Sequence, residues 1–395
     1  MVSKQSHTIP PRILSSDHKA LLQDFQKLCS QQTTSEHFPL ASSISSNVPI
    51  YTLPSHLPTP EDLNALQNEW NHILLSGPGV FVVKNLYKDL ALIERINDVY
   101  ASIIASEKAV SNGEHAGDHF SSAGLNSRIW NSLSKHCHVD PESFAEYYSN
   151  PWLAAICEAW LGPMYRITAQ VNIVHAGGKA QVAHRDYHLG FQSHEAIQAF
   201  PRAVQVASQF LTLQGAVAHT DMPLESGPTR LLPFSQMFEE GYLAFRTEEF
   251  GDFFSKHFVS LALEKGDGLF FHPALMHAAG ENLTQDLSRS ANLLQISSAF
   301  GKPMESIDTL PLVDKCWDCL VGMYEKGGLS REVKALIGAV AEGYPFPTNL
   351  DRRPPGPSGL CPSSEQDVVV KGLTEKIGRE AVMRELREMR QDGRA

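Results

Sequence analysis

Between residues 166 and 300 the chain carries a succession of β-rich runs: ITAQVNIVHAG, VQVASQFLTLQGAV, TRLLPFS, FVSLALEKGDGLFFH and SANLLQISSAF, separated by turn signals. Runs of this kind bounded by Gly, Pro, Asn and Asp read as strands, and several in succession need a barrel or sandwich to bury their apolar faces. Helical patterns come before them. TPEDLNALQNEWNHILLSG has a Thr-Pro-Glu-Asp start and a Gly stop, GVFVVKNLY is a short strand, and LALIERINDVYASIIASEKA and PESFAEYYSNPWLAAICEAWLG give further helices. After residue 302 the helical pattern returns in VDKCWDCLVGMYEK, SREVKALIGAVAEG and LTEKIGREAVMRELREMRQ, with the Pro- and Gly-rich connector NLDRRPPGPSGLCPSS between them. The fold class expected is a mainly β, α+β chain: a β-barrel or sandwich buttressed by helices. Its parts are a polar, Ser-rich, loosely ordered extension over 1–50, the barrel with its N-terminal helices over 51–301, and a helical extension over 302–395.

The 395 residues carry a formal net charge of −11, and no basic stripe is visible. A general phosphate-backbone binder is therefore excluded, because nothing is available to displace counterions. An anionic small molecule held by one or two arginines is not. No apolar run approaches the ~20 residues needed to span a bilayer. The N-terminal MVSKQSHTIPPRIL lacks the apolar core of a secretory signal, and RQDGRA is no lipidation or peroxisomal address. The expectation is a soluble, cytoplasmic protein. One cysteine pair, Cys316 and Cys319, has CxxC spacing. It lies on an amphipathic helical pattern with no second pair nearby, so it reads as ordinary half-buried thiols.

Three His-x-Asp pairs occur: His138/Asp140, His184/Asp186 and His219/Asp221. On a strand, residues two apart point the same way, so such a pair can deliver two metal ligands together. Asp140 precedes Pro-Glu-Ser-Phe and reads as a helix N-cap. Asp221 lies at the mouth of a hairpin, where aspartate usually caps a turn. His184/Asp186 follows a glycine turn, and it gains weight from GDGLFFHPALMHAAGENLTQDLSRSANLLQIS further on. That block holds a Gly266-Asp267-Gly268 turn, an apolar strand, His272 and His277, and Arg289 twelve residues after His277.

With these motifs the chain resembles the phytanoyl-CoA dioxygenase family of iron(II)/2-oxoglutarate-dependent oxygenases. The matching residues are Gln181, His184 and Asp186, then Asp221, Glu225-Ser226-Gly227 and Pro233-Phe234-Ser235-Gln236, then Gly266-Asp267 through Arg289. The resemblance covers about residues 60 to 300. It implies a double-stranded β-helix (jelly-roll) core, and His184, Asp186 and His277 as metal ligands, with His272 the competing distal histidine. It places Asp221 on the scaffold, and gives Arg289, Thr229 and Gln181 to the co-substrate. Strict alternation would turn Gln181 away from the site unless HAGGKAQ is bulged. Departures from the pattern are Ser226 for Asn, Phe234 for Gly, Gln236 for His, and Ala279 where some members carry a hydroxyl.

The implied chemistry uses Fe(II), O2 and 2-oxoglutarate, releases succinate and CO2, and oxidises a small molecule, hydroxylation being the default. A hydrophobic small molecule or natural-product intermediate is expected, because a CoA thioester would call for basic residues near the mouth. A fatty acyl-CoA hydroxylase and an inert barrel used as a binding module are the alternatives. A zinc hydrolase would leave Arg289 unexplained, and the kinase reading of His-Arg-Asp fails because Phe191 stands where an Asn is needed. Arg185 and Tyr187 alternate away from the ligands, and His188 shares their face. Phe191, Gln192 and the loop 112–125 are candidate substrate contacts. The helices beyond 302 either pack over the barrel or support a homodimer.

Overall fold

The computed structural model describes residues 11–14, 19–110 and 125–394. All but Leu125 of the loop singled out above lies outside them. The strands are β1 (Ser43–Ser45), β2 (Val48–Thr52), β3 (Val80–Lys84), β4 (Asn126–Ile129), β5 (Arg166–Val174), β6 (Thr212–Ala218), β7 (Arg230–Leu231), β8 (Gly268–Phe271), β9 (His277–Ala278) and β10 (Arg289–Ser297). Eight of them form one sheet in the order β1-β2-β3-β8-β6-β10-β5-β4, while β7 and β9 pair in a second. Every pairing is antiparallel except β2 with β3. Isolated bridges widen the small sheet, joining His184 to His277 and Leu231 to Val259. The large sheet and the small one make the expected jelly-roll core, with helices against it and a helical C-terminal region.

Alternation divides the large sheet into two faces. Ile167, Ala169 and Val171 of β5, Leu213 and Val217 of β6, and Leu294 and Ile296 of β10 turn toward the helices and share one apolar core with them. Ala216, Ala218, Leu269, Phe271 and Ala291 turn the other way, against Leu231 of the small sheet and Leu275 of the turn before β9. Burying each Leu or Ile contributes roughly 1.5–3 kcal/mol. A one-residue slip would exchange the faces, so the register is fixed by both cores at once. The turn before β8 is held by Asp267, which is fully buried. It pairs with Lys84 Nζ at 2.6 Å and accepts the backbone N–H groups of Asn85 and Glu264.

Several local expectations changed. VQVAS lies in a helix, Arg202–Ser208, before β6. Pro201 precedes it, and so short an apolar run does not separate the helical period from the strand period. TRLLPFS pairs over two residues only, because Phe234 takes a left-handed φ of 69° and ends the strand. Phe234 thus holds a left-handed backbone conformation that favours glycine, at a cost of about 1–2 kcal/mol. The helix Glu365–Thr374, opened by a Ser364/Asp367 capping box, was not expected. Its Val368-Val369-Val370 run is β-branched and a weak helix former.

The polar N-terminal segment is anchored at three points, one of them Phe38, which joins the core behind the sheet. Phe25 packs on Phe238, Phe250 and Phe253, and β2 buries Val48 and Tyr51. The helices Thr309–Gly327 and Arg331–Val340 contribute Leu312, Cys316, Trp317 and Leu336 to the core behind the sheet. Cys316 faces Cys137 with the sulfurs 3.6 Å apart, and all six cysteines are free. No described helix is long and apolar enough to cross a membrane.

Candidate metal centre

The three His-x-Asp pairs have three different surroundings. Asp140 caps the helix Pro141–Tyr148, accepting from Ser143 N and pairing with Arg95 at 2.8 Å. His219 is fully buried one residue past β6. Its Nδ1 bonds the Asn97 side-chain oxygen at 2.8 Å and its Nε2 the Tyr147 hydroxyl at 3.1 Å, while Asp221 accepts the Lys265 N–H at 2.9 Å. Both ring nitrogens of His219 are used, so the second pair is scaffold, as expected.

His219 gives a stability prediction. Burial holds its pKa down at about 3, and that of His136 at about 4. Unfolded, both would protonate near their ordinary value of 6.5. Their contribution is therefore complete above pH 6.5 and is lost as pH falls from there toward the folded values. Chemical denaturation at pH 7.5 and pH 5 should differ by about 2 kcal/mol per histidine. A His219→Gln variant should show a flatter slope by one proton's share, and an unchanged slope would refute this account.

The third pair meets His277. One donor atom from each of His184, Asp186 and His277 lies within 4.8 Å of the others, and this is the cluster of metal-binding type among the described residues. The backbone bridge between His184 and His277, with N–H···O bonds of 2.9 and 3.0 Å in the two directions, brings the rings to 4.4 Å. Each imidazole Nδ1 lies 2.8 Å from a carbonyl, that of Val182 for His184 and that of Leu275 for His277. Nδ1 is therefore the protonated nitrogen, and both Nε2 lone pairs face Asp186, at 3.7 and 3.6 Å from its two oxygens. Burial alone would raise the Asp186 carboxyl; the positive charge that His184 and His277 carry when protonated at Nε2, together with the Gln214 amide, outweighs it and holds the group well below the carboxylate range. Burial, then His277, pulls His184 below its ordinary value. Two neutral imidazoles and one carboxylate on one side of a point are the donor set of a non-haem iron(II) site, and they fit such an ion. His272 is not part of the cluster: it is buried against Trp160 and Phe210, and its Nδ1 accepts the Ala274 N–H at 3.1 Å.

Arg289 opens β10 and is 5% exposed. Its Nε donates to Ser226 O at 2.8 Å and its Nη2 to Gly280 O at 3.3 Å. Among the described residues no carboxylate pairs with it, and burial pulls its pKa down to about 10, so it stays charged near neutrality. The two carbonyls come together because Gly227, at φ 71°, packs directly on Gly280 and Glu281; a Cβ there would stand 2.2 Å from Glu281 O. A buried guanidinium with N–H groups to spare can take a carboxylate in its fork. Thr229 is half-buried just before β7, and its carbonyl accepts from Ser260 Oγ. Gln181 lies in an irregular stretch and pairs with Ala279 both ways, N–H to carbonyl at 3.0 Å and Ala279 N–H to the Gln181 side-chain oxygen at 3.2 Å.

The segment around the ligands is heavily tied down. Arg185 is buried, donating to the carbonyls of Phe238 and Ser235 and lying over the Tyr242 ring, whose hydroxyl donates to Asp186 O at 2.7 Å. Tyr187 donates to Lys302 O at 3.1 Å. His188 is half-buried, with its Nε2 enclosed and without a hydrogen-bond partner. Phe191 and Gln192 are exposed. Sequence reasoning missed the inner face of the sheet. Gln214 donates to Asp186 Oδ2 at 2.5 Å and to Gln295 Oε1 at 3.3 Å, and Arg128 donates to Gln170 Oε1 at 2.8 Å. The available signal was a glutamine at the inward position of each apolar run: TLQGAVA, TAQVNIV and NLLQIS.

The profile of one family, Phytanoyl-CoA dioxygenase (PhyH), matches residues 52–291. Among individual relatives, Dioxygenase andF of Emericella variicolor is 25% identical over 185 residues, 43% of this chain and 58% of that protein. Dioxygenase trt7 of Aspergillus terreus (strain NIH 2624 / FGSC A1156) is 27% identical over 185 residues, 45% of this chain and 54% of that protein. The aligned region thus spans a little over half the length of these two relatives. Of solved structures, the non-heme alpha ketoglutarate dependent epimerase SnoN from nogalamycin biosynthesis superposes with a TM-score of 0.40 at 17% identity, covering 61% of this chain and 84% of SnoN.

Proposed function

The chain belongs to the phytanoyl-CoA dioxygenase family, and on that premise we propose that it is an iron(II)/2-oxoglutarate-dependent dioxygenase that oxidises a natural-product intermediate or similar hydrophobic small molecule. The observation that carries the proposal is the convergence of His184, Asp186 and His277 within 4.8 Å, with both Nε2 atoms directed at the carboxylate. The buried, acid-free Arg289 adds to it. His184, Asp186 and His277 would hold iron(II). Bound there with 2-oxoglutarate and O2, the ion supplies an oxidation of the substrate, hydroxylation in the simplest case, with release of succinate and CO2.

The protein's own part is binding and order. The Val182 and Leu275 carbonyls fix the two imidazole tautomers, which second-shell acceptors generally do for ligating histidines. Arg289 would take the distal carboxylate of 2-oxoglutarate in its fork, with Thr229 and Gln181 as its further contacts. Phe271, whose ring lies 4.8 Å from that of His277, and Ala291 keep that side of the site apolar. The amides of Gln170 and Gln295 and the guanidinium of Arg128, on the inner face of the sheet, suit a substrate that carries carbonyl or hydroxyl groups among its carbons.

The experiment is anaerobic addition of iron(II) and 2-oxoglutarate, watching for the weak visible charge-transfer band, followed by oxygen and measurement of succinate. A band in the wild type that is absent in His184→Ala is expected. No band in the wild type, or the same band in both, would sink the proposal.

A further inference from the structure

Gln214 lies in the middle of β6 with its side chain on the inner face of the sheet, and it is 2% exposed. The amide nitrogen has two hydrogens, and both are committed: one to Asp186 Oδ2 at 2.5 Å, the other to Gln295 Oε1 at 3.3 Å. Gln295 is the direct cross-strand partner of Gln214 in the β10–β6 pairing, so the backbone register itself sets the second bond. The opposite orientation of the amide would point its oxygen at a carboxylate oxygen 2.5 Å away, so the donor assignment follows from charge. The Gln214 oxygen is enclosed and accepts nothing. A buried acceptor left open costs free energy, and it persists here because the nitrogen is needed where it is.

We infer that Gln214 is a positioning residue for the metal: its amide occupies one oxygen of Asp186, so that the carboxylate offers the ion a single oxygen and keeps its orientation between the two histidines. The inference rests on His184, Asp186 and His277 being the ligands. A carboxylate oxygen already accepting a short amide hydrogen bond is a poor second ligand. A one-oxygen carboxylate leaves the coordination positions that a co-substrate and O2 need. The Asp186 main chain is held as well, by the Tyr242 hydroxyl on its carbonyl and by its N–H on Pro273 O at 3.1 Å. The side-chain torsion is thus the freedom that Gln214 removes.

The test is anaerobic titration of the full-length protein with cobalt(II), whose visible spectrum reports coordination number, with a thermal melt of each metal-free variant. Gln214→Leu removes both donors at similar volume, and Gln214→Asn withdraws the amide by one methylene should the leucine variant fail to fold. Both are expected to weaken cobalt(II) binding by about 10- to 100-fold, the range for loss of an outer-shell partner, and to change the cobalt spectrum. Thr212→Val, two residues away on the same face of β6, is expected to leave both unchanged. Cobalt affinity within twofold of wild type with an identical spectrum would overturn the inference, as would an equal loss in Thr212→Val. Wild-type protein that binds no cobalt(II) would overturn the ligand reading and the inference with it, whereas binding by wild type and Gln214→Leu alike defeats the inference alone.

Discussion

His277→Ala should abolish metal binding and lower succinate formation by about 10³-fold or more, the equivalent of roughly 4 kcal/mol of transition-state stabilisation. The comparison that gives this meaning is His272→Asn, five residues earlier. Both histidines are buried, and both fit a distal-ligand position by sequence. Only His277 forms the bridge to His184 and turns an Nε2 toward Asp186 at 3.6 Å. His272 spends its Nδ1 on the Ala274 N–H and its ring on Trp160 and Phe210. Asparagine at 272 should therefore keep the charge-transfer band while costing about 1–3 kcal/mol of stability, for an imperfectly replaced buried hydrogen bond. If His272→Asn lost the band and His277→Ala kept it, the ligand set proposed above would be wrong.

The second large effect belongs to Arg289. Arg289→Leu should weaken 2-oxoglutarate binding by about 100-fold, roughly 3 kcal/mol, with a rise in KM for 2-oxoglutarate far exceeding any change in kcat. The guanidinium is buried among carbonyls with no acid among the described residues to balance it, and burial lowers its pKa only to about 10. An unbalanced buried cation is costly in the empty protein and becomes favourable when a carboxylate arrives. Arg289→Lys keeps the charge without the fork and should fall between the two, about tenfold weaker than wild type. A thermal melt provides an independent readout. Saturating 2-oxoglutarate with metal should raise the wild-type melting temperature through mass action and leave that of Arg289→Leu nearly unmoved. Equal 2-oxoglutarate shifts in the two proteins would reduce Arg289 to a brace between the Ser226 and Gly280 carbonyls.

Much of the fold was legible because it rests on local periodicity and on residues with strong backbone preferences. The helix Pro60–Ser76 starts at Thr59 and stops at Gly77 where its caps stand in the sequence. Asp140 caps the next helix it touches, and β5 and β10 come from long apolar runs with one polar face. Reading failed where apolar runs were short. VQVASQ contains too few residues to separate a helical period from a strand period, and the hydrogen bonds that Gln205 donates to the carbonyls of Ile197 and Phe200 hold it as a helix. The N-terminal segment looked polar because its anchors, Phe25, Phe38 and Val48, are few and widely spaced, although each is nearly fully buried.

The candidate site divides along the same line. Motif order, through the family resemblance that it carries, brought out His184, Asp186, His277 and Arg289 as the expected set. What the order of residues could not carry is which nitrogen of each imidazole faces the carboxylate, and which strand supplies the amide that holds Asp186. These depend on carbonyls and side chains that lie close in space and far along the chain: Val182 and Leu275 at the two rings, Ser226 and Gly280 at Arg289, and Gln214 and Gln295 facing each other across β6 and β10. The sequence by itself determined the donor types and their register along the strands, since both are local properties. Tertiary structure decided their tautomers, charges and neighbours, because a hydrogen bond and a desolvated charge are settled only by what stands within a few ångströms.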